Sequence, residues 1–411
     1  MKSLVFERNL PRFAASRVAS LLGSGRGAGV GPLQLLDATA PDLPGAGWFH
    51  LTPLLSGICG SDLATLDGRS SRYFEDMVSF PFVPGHEVVG TLHAGGEDHA
   101  GVELAPGTRA VIEPVLGCAP RRIRPRCPYC AAGTTGLCGN VAFGHLEPGL
   151  QTGFCADTGG GWSTAPLCAH SSQLHAVPDG FTDEDAVMVE PTACAVHAAL
   201  SAGVVEGDVV AVIGAGTLGL AVTAALHHLV RPGTACTVMV GAKHPHQRRR
   251  AEGLGADSVV PPEQLARAVR RRSGSLVLAG RLTDGADLVF DCVGSSESIS
   301  QALAMVRPRG RVVLVGMPAK VSVDLAPLWH RELTLVGAYA YGTDVLPASP
   351  EPHRTFALAI ELVASAALGS LVSASYPLER YEEAIVHAGA AGRRAAVKVV
   401  FDLRNPKGST R

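Results

Sequence analysis

A thiol, an imidazole and a carboxylate occur within one short stretch of the chain. Cys59 is followed two residues later by Ser61, and His86-Glu87 comes further along. These are ligand types that zinc takes in proteins, and a catalytic zinc keeps one position open for water or substrate. Such a metal lowers the pKa of a bound alcohol, and Ser61 is placed to carry the released proton away. The stretch predicts a catalytic zinc site.

A further carboxylate, Glu190, is a candidate third ligand from elsewhere in the chain. It follows the apolar residues 186–189 and precedes Pro191. A carboxylate buried at the edge of such a stretch is costly unless it is paired or bound to a metal. The alternatives are a helix N-cap or a surface acid at Glu190, a buried apolar role for Cys59, and a hydrogen-bonded loop histidine at His86.

Four more cysteines predict a second metal site. Cys127 and Cys130 form a Cys-x-x-Cys pair, and Cys118 and Cys138 lie on either side of it. Four thiolates close a tetrahedral shell and leave no open position, so this zinc would be structural. The alternatives are a redox pair or a zinc module that binds nucleic acid. The basic residues near the cysteines equally fit a solvated loop; they are Arg121, Arg122, Arg124 and Arg126.

A glycine-rich turn predicts dinucleotide binding. The continuous apolar run Val209–Ile213 is typical of a strand covered on both faces, and residues 220–229 favour a helix. Between them lies the sequence Gly214-Ala215-Gly216-Thr217-Leu218-Gly219. Its three glycines allow a tight turn, close approach of a pyrophosphate and close packing of helix on strand.

The end of the next predicted strand bears on the choice of cofactor. Enzymes that use NAD place Asp or Glu there to hold the ribose 2′-hydroxyl. This chain has Ala242 and Lys243 there, with Arg248 just beyond. The sequence therefore favours NADP, with a solvated basic loop as the alternative.

The elements that must position these residues fall into domains. With 411 residues, two domains are expected. Residues 1–177 are rich in Gly and Pro with short alternating segments, which predicts an antiparallel, loop-rich domain. Residues 178–345 alternate strands and helices, which predicts a doubly wound parallel sheet. Residues 346–411 are expected to return to the first domain, with a disordered tail from 404.

Composition bears on partners and location. The chain has 35 Lys and Arg against 37 Asp and Glu, which argues against nucleic acid as a partner. No run approaches the length of a membrane-spanning helix, and residues 1–6 fit a strand rather than a signal peptide. A cytoplasmic location is expected, where 10 cysteines favour metal binding over disulfides.

With these motifs in this order, the chain resembles the zinc-containing medium-chain dehydrogenase/reductase family from about residue 30 to 402. The resemblance implies an α/β protein with a GroES-like, β-rich catalytic domain interrupted by a Rossmann domain. It also implies that Cys59, His86 and Glu190 bind the catalytic zinc, that Glu87 is a neighbouring acid able to approach the metal, and that Ser61 relays the proton. The pair Glu190-Pro191 resembles the sequence found at this place in the polyol, sugar and threonine dehydrogenase branch of the family.

The chain departs from the family pattern at two places. In the family pattern two residues separate the first cysteine of the structural lobe from the second, which places Arg124 where a cysteine is expected before Cys127, so Cys118 is taken instead with residues 119–126 looped out. A histidine that some alcohol dehydrogenases use to pass the proton onward is Ala64 here. The relay beyond Ser61 must then use water, ribose or another side chain.

The predicted activity is hydride transfer between NAD(P) and a secondary alcohol, polyol or related hydroxy compound. Its partner is a small molecule, neither nucleic acid nor membrane, and a homodimer or homotetramer is expected from the resemblance. One competing hypothesis is a zinc-independent enone or quinone reductase on the same fold. The other is a nucleic-acid-binding protein that uses the cysteine lobe.

Overall fold

The computed structural model describes residues 1–21 and 29–404 and divides the chain into two compact units. The first comprises Met1–Glu190 together with the chain from Gly369 onward, and the second comprises Pro191–Leu368. Among the described residues, no helix combines the length and the apolar character needed to cross a membrane.

The described helices, in chain order, are α1 Leu10–Leu21, α2 Gly60–Leu66, α3 Pro128–Ala131, α4 Asp183–Val187, α5 Val189–Ser201, α6 Thr217–Ala225, α7 Pro245–Gly253, α8 Pro262–Ser273, α9 Ser296–Met305, α10 Ala326–His330, α11 Thr355–Ser365 and α12 Tyr381–Gly389. The described strands are β1 Lys2–Phe6, β2 Leu33–Asp37, β3 Trp48–Gly57, β4 Val88–Leu92, β5 Gly96–Glu97, β6 Glu103–Leu104, β7 Arg109–Ile112, β8 Leu167–His170, β9 Leu174–Ala176, β10 Val209–Ile213, β11 Thr237–Gly241, β12 Ser258–Val260, β13 Val277–Leu278, β14 Arg281–Leu282, β15 Ala286–Asp291, β16 Val306–Leu314, β17 Thr334–Gly337, β18 Thr343–Leu346, β19 Ser349–Arg354, β20 Val372–Tyr376 and β21 Lys398–Asp402.

The first unit is built on a seven-stranded sheet with β3 at its centre. The strand order is β20-β21-β3-β4-β7-β9, with β8 also paired to β3. All of these pairs are antiparallel except β20 with β21. In the pair of β3 and β4, Ser56 lies opposite Val88. The residues just after β3 and just before β4 therefore meet at one end of the sheet.

The C-terminal part of the chain completes this sheet. Strand β21 pairs antiparallel with β3, with Val400 opposite Gly57. Its apolar residues Val399 and Phe401 are buried in the same cluster as Phe6 and Phe82 from the N-terminal part. Burial of this cluster brings the two ends of the chain into one core, as the sequence predicted for the return segment.

The second unit contains a six-stranded parallel sheet in the order β12-β11-β10-β15-β16-β17. Strand β10 is buried along its whole length, which explains its unbroken run of Val, Ala and Ile. The predicted doubly wound α/β architecture is confirmed. Helix α6 begins at Thr217, earlier than the predicted residue 220, and continues as a π-helical turn over Leu226–Val230.

The unit boundaries lie later in the chain than the predicted boundaries. They fall at 190/191 and 368/369 rather than at 177/178 and 345/346. Helix α11 explains the second difference, because its Phe356 is buried against Tyr341 in the second unit. Of the predicted disordered tail 404–411, residues 405–411 lie outside the described residues.

Removal of β21 should destabilise the first unit. Truncation after Ala395 exposes one edge of β3 and removes buried Val399, Phe401 and Leu403 from the core. Loss of three such side chains costs about 6 kcal/mol or more, so we expect aggregation or a thermal transition too weak to measure. Truncation after Arg404 removes none of the described contacts and should leave the melting temperature unchanged. Equal melting temperatures for both truncations would contradict this role of β21.

Candidate active site

Cys59 lies where strand β3 gives way to helix α2. Its backbone is extended, at φ −89° and ψ 159°, and the Ile58 N–H donates a hydrogen bond of 3.0 Å to the carbonyl of Val399. The Cys59 N–H donates to Oδ2 of Asp62 at 2.9 Å, which satisfies an otherwise unpaired group at the helix start. Ser61 lies in the first turn of α2 and is half-buried.

His86 and Glu87 approach Cys59 from the loop that leads into β4. Gly85 has φ +97°, and a side chain there would lie 2.4 Å from Cδ1 of Trp162. The indole N–H of Trp162 donates to the carbonyl of Gly57 at 3.0 Å. Glycine is therefore needed at this turn, and Trp162 ties the loop to the end of β3.

The structure brings one ligand atom each from Cys59, His86 and Glu87 within 4.8 Å of one another. His86 and Glu87 are buried, and Cys59 is half-buried. Zinc bonds of about 2.0–2.3 Å draw tetrahedral ligand atoms to within about 3.3–3.8 Å of each other. The three atoms thus already enclose a site of nearly that size.

Asp62 stands behind the imidazole of His86. Its Oδ1 lies 3.5 Å from Nδ1 of His86. Both atoms are buried, and neither has a hydrogen-bond partner among the described residues. Histidine ligands usually donate their second ring N–H to a carboxylate, and a small movement would make that bond here. The unsatisfied pair therefore fits a His86 that binds metal through its other nitrogen.

The electrostatics of His86 favour a positive charge at this position. Burial lowers the pKa of the imidazole, but the carboxylate of Asp62 and the sulfur of Cys59 outweigh burial, and the pKa lies well above its ordinary value. Without a metal, the proton supplies this positive charge. A metal ion must displace that proton, so metal binding is expected to compete with protons.

Glu87 is held by a buried lysine from the C-terminal strand. Nζ of Lys398 lies 2.6 Å from both Oε1 and Oε2 of Glu87. The two residues are 3% and 1% exposed. Burial lowers the pKa of Lys398, but the charges of Glu87 and Cys59 outweigh burial and raise the pKa above its ordinary value. Lys398 is therefore an ammonium ion.

Glu190 lies in the first turn of α5 and is buried, still within the first unit. Its charge contributes to the raised pKa of Lys398, so it faces the same region. Among the described residues, however, the cluster of ligand atoms within 4.8 Å contains Glu87 and not Glu190. The two carboxylates thus occupy different positions relative to Cys59 and His86.

Aromatic rings pack on one side of His86. The centroid of the Phe154 ring lies 5.8 Å from that of the imidazole, and the tilted ring of Phe82 lies 5.3 Å from Phe154. Ile58 and Trp162 are buried in the same apolar cluster as Phe154. This packing limits the movement of the imidazole and excludes water from that side.

The four cysteines of the lobe also come together. Their sulfur atoms all lie within 4.8 Å of one another, with 3.7 Å between Cys118 and Cys138 and 3.8 Å between Cys127 and Cys138. Zinc–sulfur bonds of about 2.3 Å give a tetrahedron with edges of about 3.8 Å. Cys118 therefore belongs to the cysteine cluster despite its unusual spacing.

Hydrogen bonds make the lobe sulfurs ready to lose protons. The amide of Asn140 donates to Cys118 at 3.3 Å, and its backbone N–H donates to Cys138 at 3.4 Å. A hydrogen bond from Cys130 and the Asn140 N–H lower the pKa of Cys138 to about 5. The same contact with Cys138, together with burial, raises the pKa of Cys130. The lowered pKa of Cys138 favours its thiolate form, which is the form that binds metals.

Arg121 explains the segment looped out between Cys118 and Cys127. Its side chain is buried and donates to five backbone carbonyls; these belong to Leu116, Phe143, Leu146, Glu147 and Gly149, at 2.9, 2.9, 3.1, 3.0 and 2.8 Å. The interpretation of Arg121 as part of a solvated basic loop is therefore wrong. Arg122, Arg124 and Arg126 are exposed, as that interpretation required.

The glycine-rich turn of the second unit has the geometry expected for a dinucleotide. Gly214 has φ +91°, directly after strand β10. A side chain at Gly216 would meet no atom within 4 Å, so its backbone is open to a ligand at the start of α6. A side chain at Gly219 would lie 1.8 Å from the carbonyl oxygen of Gly214. The three glycines thus serve the turn, the approach of a phosphate and the packing of helix on strand. Thr217 and Leu218 form the first turn of the helix.

The end of β11 carries cations and no acid between Ala242 and His244. Nη1 of Arg248 donates to the carbonyls of Ala242 and Lys243, both at 3.2 Å. Arg248 therefore stabilises the turn, and the side chain of Lys243 is exposed.

Three residues with evident roles in these sites received none from the sequence. Lys398 gave no signal, because its partner is 311 residues away. Asp62 gave a weak signal, three residues after Cys59 at a helix start. Arg121 looked like its exposed neighbours, and only the fold shows that it is buried.

Comparison with known proteins gives two family matches. Residues 45–179 match the alcohol dehydrogenase GroES-like domain, and residues 218–365 match the zinc-binding dehydrogenase domain. Similar proteins include 2-dehydro-3-deoxy-L-galactonate 5-dehydrogenase of Pseudoalteromonas atlantica, with 29% identity over 78% of this chain and 82% of that protein. Sorbitol dehydrogenase of Homo sapiens is 28% identical over 87% of this chain and 89% of its own length.

A solved structure from Sinorhizobium meliloti, described as a zinc-binding dehydrogenase bound to NADP, is also similar. It is 25% identical and superposes with a TM-score of 0.66, covering 90% of this chain and 95% of the other.

Arg121 should be essential for the stability of the lobe. Arg121→Met removes a donor from five backbone carbonyls, of which those of Leu116, Leu146 and Gly149 are in buried hydrogen bonds, and each buried group left unsatisfied costs about 1–3 kcal/mol. We expect a loss of at least about 3 kcal/mol in the free energy of unfolding, measured by denaturant titration, together with loss of metal from the lobe. Arg126→Met, at an exposed position of the same segment, is the control and should change neither. A stable Arg121→Met protein with full metal content would contradict this assignment.

Proposed function

The chain belongs to the zinc-containing medium-chain dehydrogenase family, in its polyol dehydrogenase branch, and from this premise we propose a specific site and substrate class. Cys59, His86 and Glu190 bind a catalytic zinc whose fourth position receives the hydroxyl of a polyol or related hydroxy compound. The substrate loses a hydride to NADP in the oxidative direction. The observation that carries this proposal is the cluster of ligand atoms from Cys59, His86 and the neighbouring Glu87, with Nδ1 of His86 unpaired beside Asp62.

The side chains around the cluster have distinct tasks. A bound zinc polarises a hydroxyl oxygen and lowers its pKa. The Nδ1–H of His86 donates a hydrogen bond to the carboxylate of Asp62, which fixes the orientation of the ring. Nε2 is then the atom that binds the metal. The apolar rings of Phe154 and Phe82 keep water from the imidazole.

Ser61 receives the substrate proton in this proposal. Ser61 lies in the first turn of α2, two residues from Cys59, and is half-buried, which supports this role. Because Ala64 has no polar group, the proton continues through water or the ribose.

Glu190 is favoured over Glu87 as the carboxylate ligand. Both oxygens of Glu87 are already engaged by Lys398. Glu190 is buried near the same lysine and supplies the second negative charge that, with the thiolate of Cys59, neutralises a divalent cation. Glu87 is then the acid beside the metal.

The lobe holds a second, structural zinc through Cys118, Cys127, Cys130 and Cys138. The sulfur separations of 3.7 and 3.8 Å support this assignment, as does the lowered pKa of Cys138. A closed shell of four thiolates has no room for a substrate.

NADP is the proposed cofactor, with its pyrophosphate on the turn Gly214–Gly219. Lys243 is exposed and available for a 2′-phosphate, and Arg248 holds the turn after Ala242. NADP in the similar structure from Sinorhizobium meliloti supports this choice.

The substrate class follows from the relatives. Two similar proteins are named as dehydrogenases of sorbitol and of a 2-dehydro-3-deoxy sugar acid. We therefore propose a secondary hydroxyl of a sugar alcohol or sugar acid. A panel of polyols, amino alcohols and 3-hydroxy acids, followed at 340 nm with NAD and NADP in parallel, tests it. Reduction of enones or quinones by metal-free protein would support the zinc-independent alternative instead. A cytoplasmic location and a homodimer or homotetramer stay predictions from the sequence.

Loss of a proposed zinc ligand should abolish turnover and leave cofactor binding intact. We expect Cys59→Ala and His86→Ala to lose one equivalent of zinc and at least about 1,000-fold in kcat, because the substrate hydroxyl is no longer polarised. Cofactor affinity, measured by fluorescence titration, should stay within about twofold, since the turn Gly214–Gly219 lies in the other unit. Cys194→Ala is the control. Full activity in a Cys59→Ala protein shown to be free of zinc would overturn the mechanism.

In this proposal, Lys243 is the residue that gives the protein its preference for NADP over NAD. Loss of a charged contact to phosphate costs about 1.5–3 kcal/mol, so Lys243→Ala should raise the KM for NADP about tenfold or more and leave the KM for NAD unchanged. Lys320→Ala, at another exposed lysine of the second unit, should change neither value. Equal effects on both cofactors, or a wild-type preference for NAD, would contradict the assignment.

A further inference from the structure

Three large apolar side chains follow one another on the surface of the second unit. Leu276, Val277 and Leu278 are 72%, 53% and 69% exposed, and among the described residues no other three consecutive large apolar side chains are all exposed. Single exposed apolar residues are ordinary, whereas a contiguous exposed group marks a contact with another surface. The run therefore indicates a binding surface.

The run overlaps β13, which pairs with β14 in a short hairpin. Val277 lies opposite Leu282, whose side chain is buried in the core of the second unit. Because successive side chains of a strand point to opposite faces, Leu276 and Leu278 lie on the face turned away from that core. Arg281 lies opposite Leu278 and shares this outer face. The outer face is thus apolar with a cation beside it.

The hairpin is well anchored, so its outer face is held in place. The turn Ala279–Gly280 has positive φ at both residues, 49° and 78°, as in two-residue turns of type I′. Behind the turn, the Thr283 N–H donates to the carbonyl of Leu276 at 3.0 Å. The buried guanidinium of Arg331 donates to the carbonyl of Leu282 at 2.8 Å. A surface ordered in advance loses little conformational entropy when it binds.

Positive charge surrounds the base of the hairpin. Helix α8 ends at Ser273, three residues before the apolar run, and its C-terminal part carries four exposed arginines; these are Arg267, Arg270, Arg271 and Arg272. In the part of the chain that the structure describes, the first three form no ion pair. The helix dipole favours a cation in the last turn, but it does not account for Arg267, which lies about one turn earlier.

An anionic lipid surface fits both the apolar run and the arginines. Arginines attract lipid phosphates, while exposed apolar side chains enter the boundary between headgroups and acyl chains. Residues 263–284 include five arginines against two acids, Glu263 and Asp284. A second copy of the same face would bring like charges together. Single-stranded nucleic acid stacks on aromatic rather than aliphatic side chains.

The hairpin lies away from the proposed cofactor site. It comes just before β15, whereas the turn Gly214–Gly219 follows β10. Because β10 and β15 are parallel neighbours, the hairpin and the turn lie at opposite ends of the same sheet. A membrane contact through the hairpin is therefore compatible with turnover.

We propose that this hairpin docks the protein on anionic membrane surfaces, with Leu276 and Leu278 entering the boundary between headgroups and acyl chains and the arginines of α8 facing lipid phosphates. The contact is peripheral, since the described residues contain no helix able to cross a membrane. The prediction from the sequence that the protein has no membrane partner depends on the lack of a spanning segment, which this contact does not need. The proposal is independent of the zinc and cofactor assignments.

Flotation of the full-length protein with lipid vesicles tests the proposal. We expect binding to vesicles of phosphatidylglycerol mixed with phosphatidylcholine, and binding at least about tenfold weaker to phosphatidylcholine alone or in about 0.5 M salt. Leu276→Ser with Leu278→Ser should lower the partition coefficient about 100-fold or more, because the two apolar side chains no longer enter the lipid. Val102→Ser with Val205→Ser, at two exposed valines elsewhere, is the control and should leave the coefficient unchanged.

The arginines are tested in the same way. Arg270→Gln with Arg271→Gln should lower the partition coefficient about tenfold or more. Arg124→Gln with Arg126→Gln, at two exposed arginines of the cysteine lobe, is the matched control and should not change it. All of these variants should keep the melting temperature and kcat of the wild type, because the substituted side chains are exposed.

Three results would overturn the proposal. The first is a wild-type protein that does not float with the anionic vesicles. The second is a leucine variant that floats as well as the wild type, which would assign the binding to charge alone. The third is a leucine variant that loses a dimer or tetramer in sedimentation velocity while the wild type binds no vesicles, which would assign this face to a second copy of the chain.

Discussion

Negative charge buried beside Cys59 is the constraint on which the first unit depends. The thiol and Asp62 come from one segment and the two glutamates from two others, and each group is expensive to bury without a partner. Lys398 balances Glu87, a backbone N–H satisfies one oxygen of Asp62, and His86 faces the other. In the proposed site, a divalent cation would bind the thiolate of Cys59 and the carboxylate of Glu190.

This constraint accounts for the path of the chain. Strand β21, near the C-terminal end of the described chain, pairs with β3. This pairing brings Lys398, the first residue of β21, to Glu87 as its counter-charge. Trp162 and Gly85 are needed to press the loop with His86 against the end of β3. Arg121 holds the backbone of the cysteine lobe together, because its guanidinium donates hydrogen bonds to five backbone carbonyls.

The sequence predicted what depends on local pattern. The buried strand Val209–Ile213, the glycine turn after it and the return of the C-terminal strand are confirmed, because periodicity and glycine spacing act over short distances. The sequence also singled out Cys59 and His86, and the structure brings their ligand atoms together. What could not be predicted was pairing over long distances. Nothing near Lys398 points to Glu87, and nothing distinguishes buried Arg121 from exposed Arg122 one residue later. The sequence likewise could not show that Glu87, and not Glu190, lies with Cys59 and His86 in one cluster of ligand atoms, because this depends on tertiary contacts.

A crystal structure of the protein as purified, with anomalous data on both sides of the zinc absorption edge, tests the central claim most directly. We expect two zinc ions in each chain. One is bound by Cys59, His86 and Glu190 with Glu87 still paired to Lys398, and the other by Cys118, Cys127, Cys130 and Cys138. An anomalous peak bonded to Glu87 with Lys398 displaced, or no peak at Cys59, would contradict it.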